Sequence, residues 1–466
     1  MKEPTTMRPE TAPHALVPSL RRRSVAALCG GVALMNTAMI NASALATLVA
    51  ADALGATWSG APNTAGVLGT AAGTLTLAGF MARRGRRSGL LLGYGIAALG
   101  ALLATAAILS SSLILLVVAL LLLGLGNGGA QLARYAAADL YPPDRRGFGL
   151  SSVVWAGTVG AVLGPHVITP AAAAGDALGL EPFAGVFAFV MLVAIVATAV
   201  TKMIPPSEVQ SPDPNSGFQG LRNTSRLLRR PRVKIALVAM VVAQLIMVAV
   251  MTMAPLHLHM HGETLQRVGV VLSVHTLGMF VLSPVSGWLT DRFGSVRVIW
   301  ASLATLLTAA LLLVVAPAAS GHALTAALFL LGYGWNLSFV AGSALLSRDV
   351  HGEDGTRLQG LVDSLVWSSS ALAALASGAI FAVGDYLLLA SVSGSLVLVP
   401  AVLLLRSHSN ALTRVLELPR RANDEVDGDD RRRARGGPHP PPQLRGAREG
   451  QGEVPGRTDR LSGIRS

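Results

Sequence analysis

Apolar residues along this chain run in blocks of roughly 20, with Gly, Ala, Ser and Thr inside them instead of charge. A helix of that length crosses about 30 Å of hydrocarbon. Twelve such spans are expected, at about 24–49, 60–82, 89–109, 112–136, 150–173, 182–204, 235–257, 265–290, 298–316, 322–346, 359–384 and 386–405. A polar stretch, residues 205–234, contains PPSEVQSPDPNSG and the basic RLLRRPRVK and reads as a linker. The expected organisation is an N-terminal segment 1–23, a six-helix bundle 24–204, the linker 205–234, a second six-helix bundle 235–406 and a polar tail 407–466. The fold class is therefore an all-α membrane protein with twelve transmembrane helices in two six-helix bundles.

Composition agrees with a membrane protein: of 466 residues, 52% are hydrophobic and only 13% charged, where soluble domains carry about 25% charge. RRRSVAALCGG resembles the start of a signal peptide, but its apolar run continues well past a signal core and reads as the first span. Cys29 is the sole cysteine, so no intrachain disulfide or cysteine-based zinc site can form.

The net charge of +12 would suit a nucleic-acid binder, yet its placement argues otherwise. Basic residues gather at Arg21–Arg23, Arg83–Arg87, Arg145–Arg146, Arg222–Lys234, Arg292–Arg297, Arg348–Arg357 and in the tail, all in alternate loops. The opposite loops hold essentially Arg267. This positive-inside pattern expects both termini in the cytoplasm and no nucleic-acid partner. The tail, with RRRARGG and PHPPP, reads as disordered and able to touch anionic lipid. An excess of Arg over Lys with abundant Ala and Gly suggests a GC-rich bacterial genome, and so the plasma membrane.

GWLTDRFGSVR, from Gly287 to Arg297, places a tight charged turn between the eighth and ninth spans. A shorter relative, GFMARRGRR from Gly79 to Arg87, lies about 200 residues earlier and suggests an internal repeat. Gly287, Asp291, Arg292, Gly294 and Arg297 match G-x-x-x-D-R-x-G-x-x-R, and on this motif residues 20–406 resemble the major facilitator superfamily. The resemblance implies alternating access between two rocking halves, with this turn as a latch. Elementary physics fits those roles. Gly294 permits the turn, Gly287 lets helices approach, and Asp291 can sit at a neighbouring helix N-terminus. The first-half copy lacks the Asp, and Arg83 stands near its position.

GAVLGP, with Gly160, Gly164 and Pro165, resembles the fifth-span G-x-x-x-G-P motif of the exporting, proton-antiport branch, although Ile168 and Thr169 replace the glycine pair that usually follows. NTAMIN resembles that branch's first-span D-x-T-x-x-N, with Asn36 for the Asp, Ala38 for the Thr and Leu45 for a later Pro. Gly124 stands where the fourth span often has an Arg. Proton coupling would then need other residues.

At 1.5 Å per residue, Asn36, Gln244 and His275 fall near the midplane and Asn336 somewhat toward the cytoplasm. With Asn41 they are the expected cavity residues, in a wall otherwise mostly aliphatic. His275 could exchange a proton as the cavity alternates, or be a neutral His bonded to a neighbouring helix. Asp363, in TRLQGLVDSLVW, reads either as a second proton site or as a gate salt bridge near Arg348 and Arg357. His166 reads as structural. HLHMH, His257 to His261, reads as an outer-loop cluster without a metal. GLGNGGA is a dinucleotide loop only as a string, since no strand precedes it, and no P-loop appears.

These readings expect a secondary transporter and not an enzyme, without cofactor, exporting small apolar or amphipathic compounds against protons. The alternatives are an importer or facilitator of a small metabolite, and a transport-inactive membrane sensor or scaffold.

Overall fold

The computed structural model describes residues 18–54, 60–206, 224–262, 264–315, 321–350 and 352–406. The expected tail, most of the linker and the first part of the N-terminal segment lie outside the described residues.

The first six spans are Pro18–Leu54, Ala61–Arg84, Arg86–Leu109, Leu113–Ala138, Arg146–Ala177 and Pro182–Thr201. The seventh is Pro231–Met260. The eighth is built of two helices, Leu265–Phe280 and Ser283–Phe293, broken at Val281 and Leu282, just ahead of Pro284. Ser295–Val315 and Gly321–Asp349 are the ninth and tenth. Gly352–Leu396 runs through the eleventh and into the twelfth, which reaches residue 406. The two are divided at Gly384 and Asp385, and Asp385 holds φ 54. The described residues thus contain 11 helical stretches long and apolar enough to cross a membrane, one of them divided by that kink into the eleventh and twelfth spans. They form the two six-helix bundles of a multi-pass membrane protein.

The repeat shows in the two charged turns. Gly85 ends the second span at φ 84, ψ 159, and Gly294 ends the eighth at φ 86, ψ 147. Each donates its N–H four residues back, to Met81 at 2.8 Å and to Thr290 at 3.1 Å. A side chain would be strained in that left-handed conformation, so both turns depend on glycine.

Lipid is as apolar as a leucine, so helices associate through close packing more than through the hydrophobic effect. Small residues supply it. A Cβ added to Gly69 or Gly73 of the second span would overlap the carbonyl oxygens of Leu121 or Leu125 in the fourth, and one on Gly124 would overlap that of Gly66. The Gly69–Gly73 pair is therefore a packing seam. Gly160 lies on Ala33 and Asn36 and Gly164 on Ile40, so the fifth-span motif seats that span on the first. Large side chains such as Ile114, Leu375 and Val383 stay on the outside, where acyl chains take them.

Gly73→Val should force the second and fourth spans apart, at a cost of about 1–3 kcal/mol. Gly95→Ala, which meets nothing within 4 Å, should leave stability unchanged or slightly raised. Thermal unfolding of the two variants in detergent checks the contrast.

Candidate transport cavity and gate

A cavity of about 950 Å³ lies between the halves. Its lining comes from spans one, two, four and five and from their counterparts seven, eight, ten and eleven. It reaches Gly60, where the second span begins, and ends at Arg134, toward the charged turns. The wall carries four aromatic rings (Phe280, Trp335, Phe339 and Trp367) and five amides (Asn36, Asn63, Asn127, Gln131 and Gln244). Arg134 is its one charged residue among those described, and no carboxylate lines it.

Two of the five expected cavity residues are in this wall. Asn36 donates to the Gly157 carbonyl at 3.4 Å. Gln244 accepts from Trp335 Nε1 at 2.6 Å and donates to Ser370 Oγ at 2.7 Å. Because the indole can only donate, the orientation of the Gln244 amide is fixed.

The other three lie outside this wall. Asn41 is fully buried and donates to the Thr37 carbonyl one turn back at 2.7 Å. His275 is 2% exposed. Its Nδ1 donates to the Leu328 carbonyl on the tenth span at 2.8 Å, a bond to a neighbouring helix. Asn336 donates to the Met279 carbonyl and to Ser283 Oγ, both at 2.7 Å, and accepts from Ser286 Oγ at 2.6 Å. It satisfies backbone freed where the eighth span breaks, as polar side chains do inside bilayers. Depth along a helix sets a residue's height but not the direction it faces.

Asp363 has a partner that sequence reasoning missed. Arg134 Nη2 lies 2.6 Å from Asp363 Oδ1, joining the fourth span to the eleventh, and both side chains are almost wholly buried. Tyr135 accepts from Arg134 at 3.1 Å and donates to Asp363 at 3.2 Å. Arg134 also reaches Ser343 Oγ at 3.1 Å and the Gln131 carbonyl. Its guanidinium lies 4.0 Å from the Phe339 ring centroid and 4.4 Å from that of Tyr135, a cation–π clamp. Phe339 in turn stacks on Trp335 at 4.7 Å. The signal was a lone Arg in QLARYAAA, inside the fourth apolar block. The expected neighbours of Asp363 are engaged elsewhere, Arg348 with Asp291 and Arg357 with Glu353.

The second-half turn closes the same end. Asp291 accepts from the N–H groups of Gly147 at 2.9 Å and Phe148 at 2.8 Å, and pairs with Arg348 at 2.9 Å. It thus caps the fifth-span helix, which begins at Arg146, where a carboxylate is favoured by the helix dipole. Gly147 and Gly287 cross so closely that a Cβ on either would meet the other's chain. Arg292 and Arg297 are exposed, and Arg297 reaches the Phe293 carbonyl at 3.4 Å. In the first half, Arg86 joins Asp139 at 3.1 Å and donates to Gln359 Oε1, on the eleventh span, at 2.7 Å. Arg146 donates to the Ser347 carbonyl. One ion pair, Arg134 with Asp363, and several hydrogen bonds therefore bind the halves at the charged-turn end, while the cavity extends toward the other. Outside this system, His166 is exposed and bonds its own helix at Val162, and His257 stacks on Tyr386 and lies against His261.

Two bundles around a shared cavity, closed at one end by contacts that can separate, define a carrier of small molecules. The family model for the Major Facilitator Superfamily matches residues 26–375 and 262–422, and the chain belongs to that superfamily. It is 34% identical over 374 residues to the uncharacterized MFS-type transporter YddS of Bacillus subtilis, covering 76% of this chain and 84% of that one. It is 30% identical over 313 residues to the riboflavin transporter RfnT of Brucella anthropi, covering 67% and 77% respectively. Its fold also matches the crystal structure of the human organic anion transporter MFSD10, with a TM-score of 0.69 and 18% identity over 82% of this chain and 99% of that one. The protein is a membrane transporter and not an enzyme, as its sequence led us to expect.

Asp291→Asn should weaken the closed end by about 0.3–2 kcal/mol, the range for a charge at a helix terminus. Distances between spin labels on spans two and eleven, in a Cys29→Ser background, should broaden toward longer values. Arg134→Met alone leaves a buried carboxylate unpaired and should cost about 3–5 kcal/mol. The double variant Arg134→Met with Asp363→Leu should recover most of that stability, as thermal unfolding in detergent would show.

Proposed function

We propose that this protein takes up a small, planar, hydrogen-bonding aromatic metabolite by alternating access, driven by protons that act at Asp363. The observation that carries this reading is the cavity wall, where four aromatic rings and five amides surround one cation with no carboxylate among the lining residues. Rings stack on a planar solute, and amides offer both donors and acceptors to its edge. A relative at 30% identity bears the name of a riboflavin transporter, and riboflavin is a solute of this shape.

Proton-antiport export of apolar or cationic compounds, the direction expected from the fifth-span motif, fits the wall less well. A lipophilic cation would find no counter-ion there and would face Arg134. Gly160 and Gly164 have a sufficient role in seating span five on span one. The distribution of basic loops supports placing the charged turns in the cytoplasm. The cavity described above would then open outward. Asp363 suits the coupling role because the halves cannot part at the cytoplasmic end until its pair with Arg134 breaks. His275, packed between helices, has no such position.

Purified protein in proteoliposomes tests this reading, with riboflavin as the first solute and an inward proton gradient. At one proton per neutral solute, a gradient of one pH unit should drive about tenfold accumulation, abolished by a protonophore. Proton-driven movement of a lipophilic dye cation into the acidic side, without riboflavin uptake, would replace it with drug antiport.

A further inference from the structure

We infer that the floor of the cavity is an acid-binding site: a carboxylate on the transported solute takes the place of Asp363 on Arg134 while Asp363 takes a proton. This rests on the planar-aromatic reading above and makes aromatic acids the preferred members of that substrate class over neutral ones such as riboflavin.

Four observations converge on it. Among the described residues Arg134 is the single charged one in the lining, so it is the cation that an anion entering this cavity meets. Phe339 and Tyr135 hold its guanidinium by their rings, which keeps the planar donor fork in place if its partner leaves. Asp363 holds that fork by one oxygen only; Oδ1 takes both Arg134 and Tyr135, and Oδ2 is buried without a partner. Asp363 itself is not in the wall, whereas Arg134 is, so the solute meets the guanidinium and not the carboxylate.

The physical reason for an exchange is the cost of a lone buried ion. When the charged-turn end opens, the fourth and eleventh spans separate and the pair must break. An unloaded carrier would then leave a guanidinium and a carboxylate each without its partner in a poorly hydrated site, which opposes the motion. A solute carboxylate on Arg134 removes one of those penalties. A proton on Asp363 removes the other and gives Oδ2 a hydrogen to donate. Arg134 stays ionised throughout. No covalent bond is made other than the O–H on Asp363, whose proton comes from the solution. One anion and one proton enter together, so the step carries no net charge. Arg134 and Tyr135, both on the fourth span, are the ionisable groups that contact Asp363; no described ionisable side chain of spans two, seven, nine or ten is bonded to it.

The exchange differs from simple anion binding because solute and proton stabilise the same state. Each must therefore tighten the other's binding by the same factor. A neutral aromatic solute can occupy the rings and amides but cannot relieve Arg134.

The test compares 2-naphthoate with 2-naphthamide, matched in shape and differing in charge, by isothermal titration into the full-length protein in nanodiscs. The buffers run from mildly alkaline to mildly acidic, a range in which the naphthoate stays ionised. In wild type the acid should tighten by about tenfold or more on acidification, a coupling of ordinary allosteric size, while the amide stays constant. Asp363→Asn, a permanent mimic of the protonated side chain, should bind the acid tightly at every pH. Arg134→Gln should lose the preference for the acid yet still bind the amide, which also shows that its cavity is intact. Should Arg134→Gln fail to fold, the Asp363→Asn pH profile decides alone. Naphthoate that binds no tighter than naphthamide at any pH overturns the inference and leaves the planar-aromatic reading standing. If neither probe binds, both readings fall together.

Discussion

A guanidinium inside a membrane protein must have a partner, and one end of this transporter is organised around meeting that demand. Arg134 belongs to the first half and Asp363 to the second. Each therefore depends for its compensation on the other half being close. Either charge alone would be costly in this setting, whereas an apolar pair of equal volume would be no burden. A purely structural contact could thus be made more cheaply from leucines. What an ion pair offers instead is a contact whose strength a proton can change. That makes it a natural place to tie the position of the halves to the state of the solution.

The glycine contacts at this end share one property: they pack closely yet leave smooth surfaces behind when parted. Gly147 and Gly287 meet backbone to backbone, as do Gly360 and the carbonyl of Thr74 across spans eleven and two. No large side chain has to withdraw from a hole when such surfaces slide. Within a half the seams are different. The glycines between spans two and four are flanked by the interlocked cores of Leu77, Met81, Leu120 and Leu123, which favours motion of each bundle as a body. Close packing of small residues is what lipid surroundings reward. In this molecule the same device supplies rigidity within the halves and separability between them.

Much of this was legible in the sequence, because the bilayer imposes length and the positive-inside rule imposes order. All twelve expected spans correspond to helix, and the turn at Gly294 has the geometry its motif required. Asp291 caps a neighbouring helix, as its place in the motif anticipated. The cavity residues were read less well. Asn36 and Gln244 face the cavity, while His275 and Asn336, at similar depths, face the seam between spans eight and ten. Helical spacing could not separate these cases, because an amide facing a broken helix and an amide facing a solute look alike along the chain. Arg134 was overlooked for a different reason. It stands a turn from the end of an apolar block, where a basic residue reads as part of the loop. Its true setting, wedged between two rings and a carboxylate, is made by spans more than 200 residues apart.

The two charged turns show how a repeat can keep its shape and change its chemistry. Gly85 and Gly294 share one backbone conformation, so the turns are equivalent as geometry. As electrostatics they are not. The second-half turn presents a carboxylate to two N–H groups of a helix terminus and to Arg348. The first-half turn has no Asp and presents Arg86 to the neutral amide of Gln359, with Asp139 of its own half as counter-ion. In both turns the ion pair stays within one half, so what crosses to the other half is two N–H···carboxylate bonds at a helix terminus in one case and one guanidinium–amide bond in the other. Arg134 and Asp363 lie on the side of spans two and eleven, since Asp363 is four residues, about one helical turn, beyond Gln359 on the same helix. There the neighbouring turn contributes that one bond between the halves, and the state of this ion pair bears directly on whether they stay together.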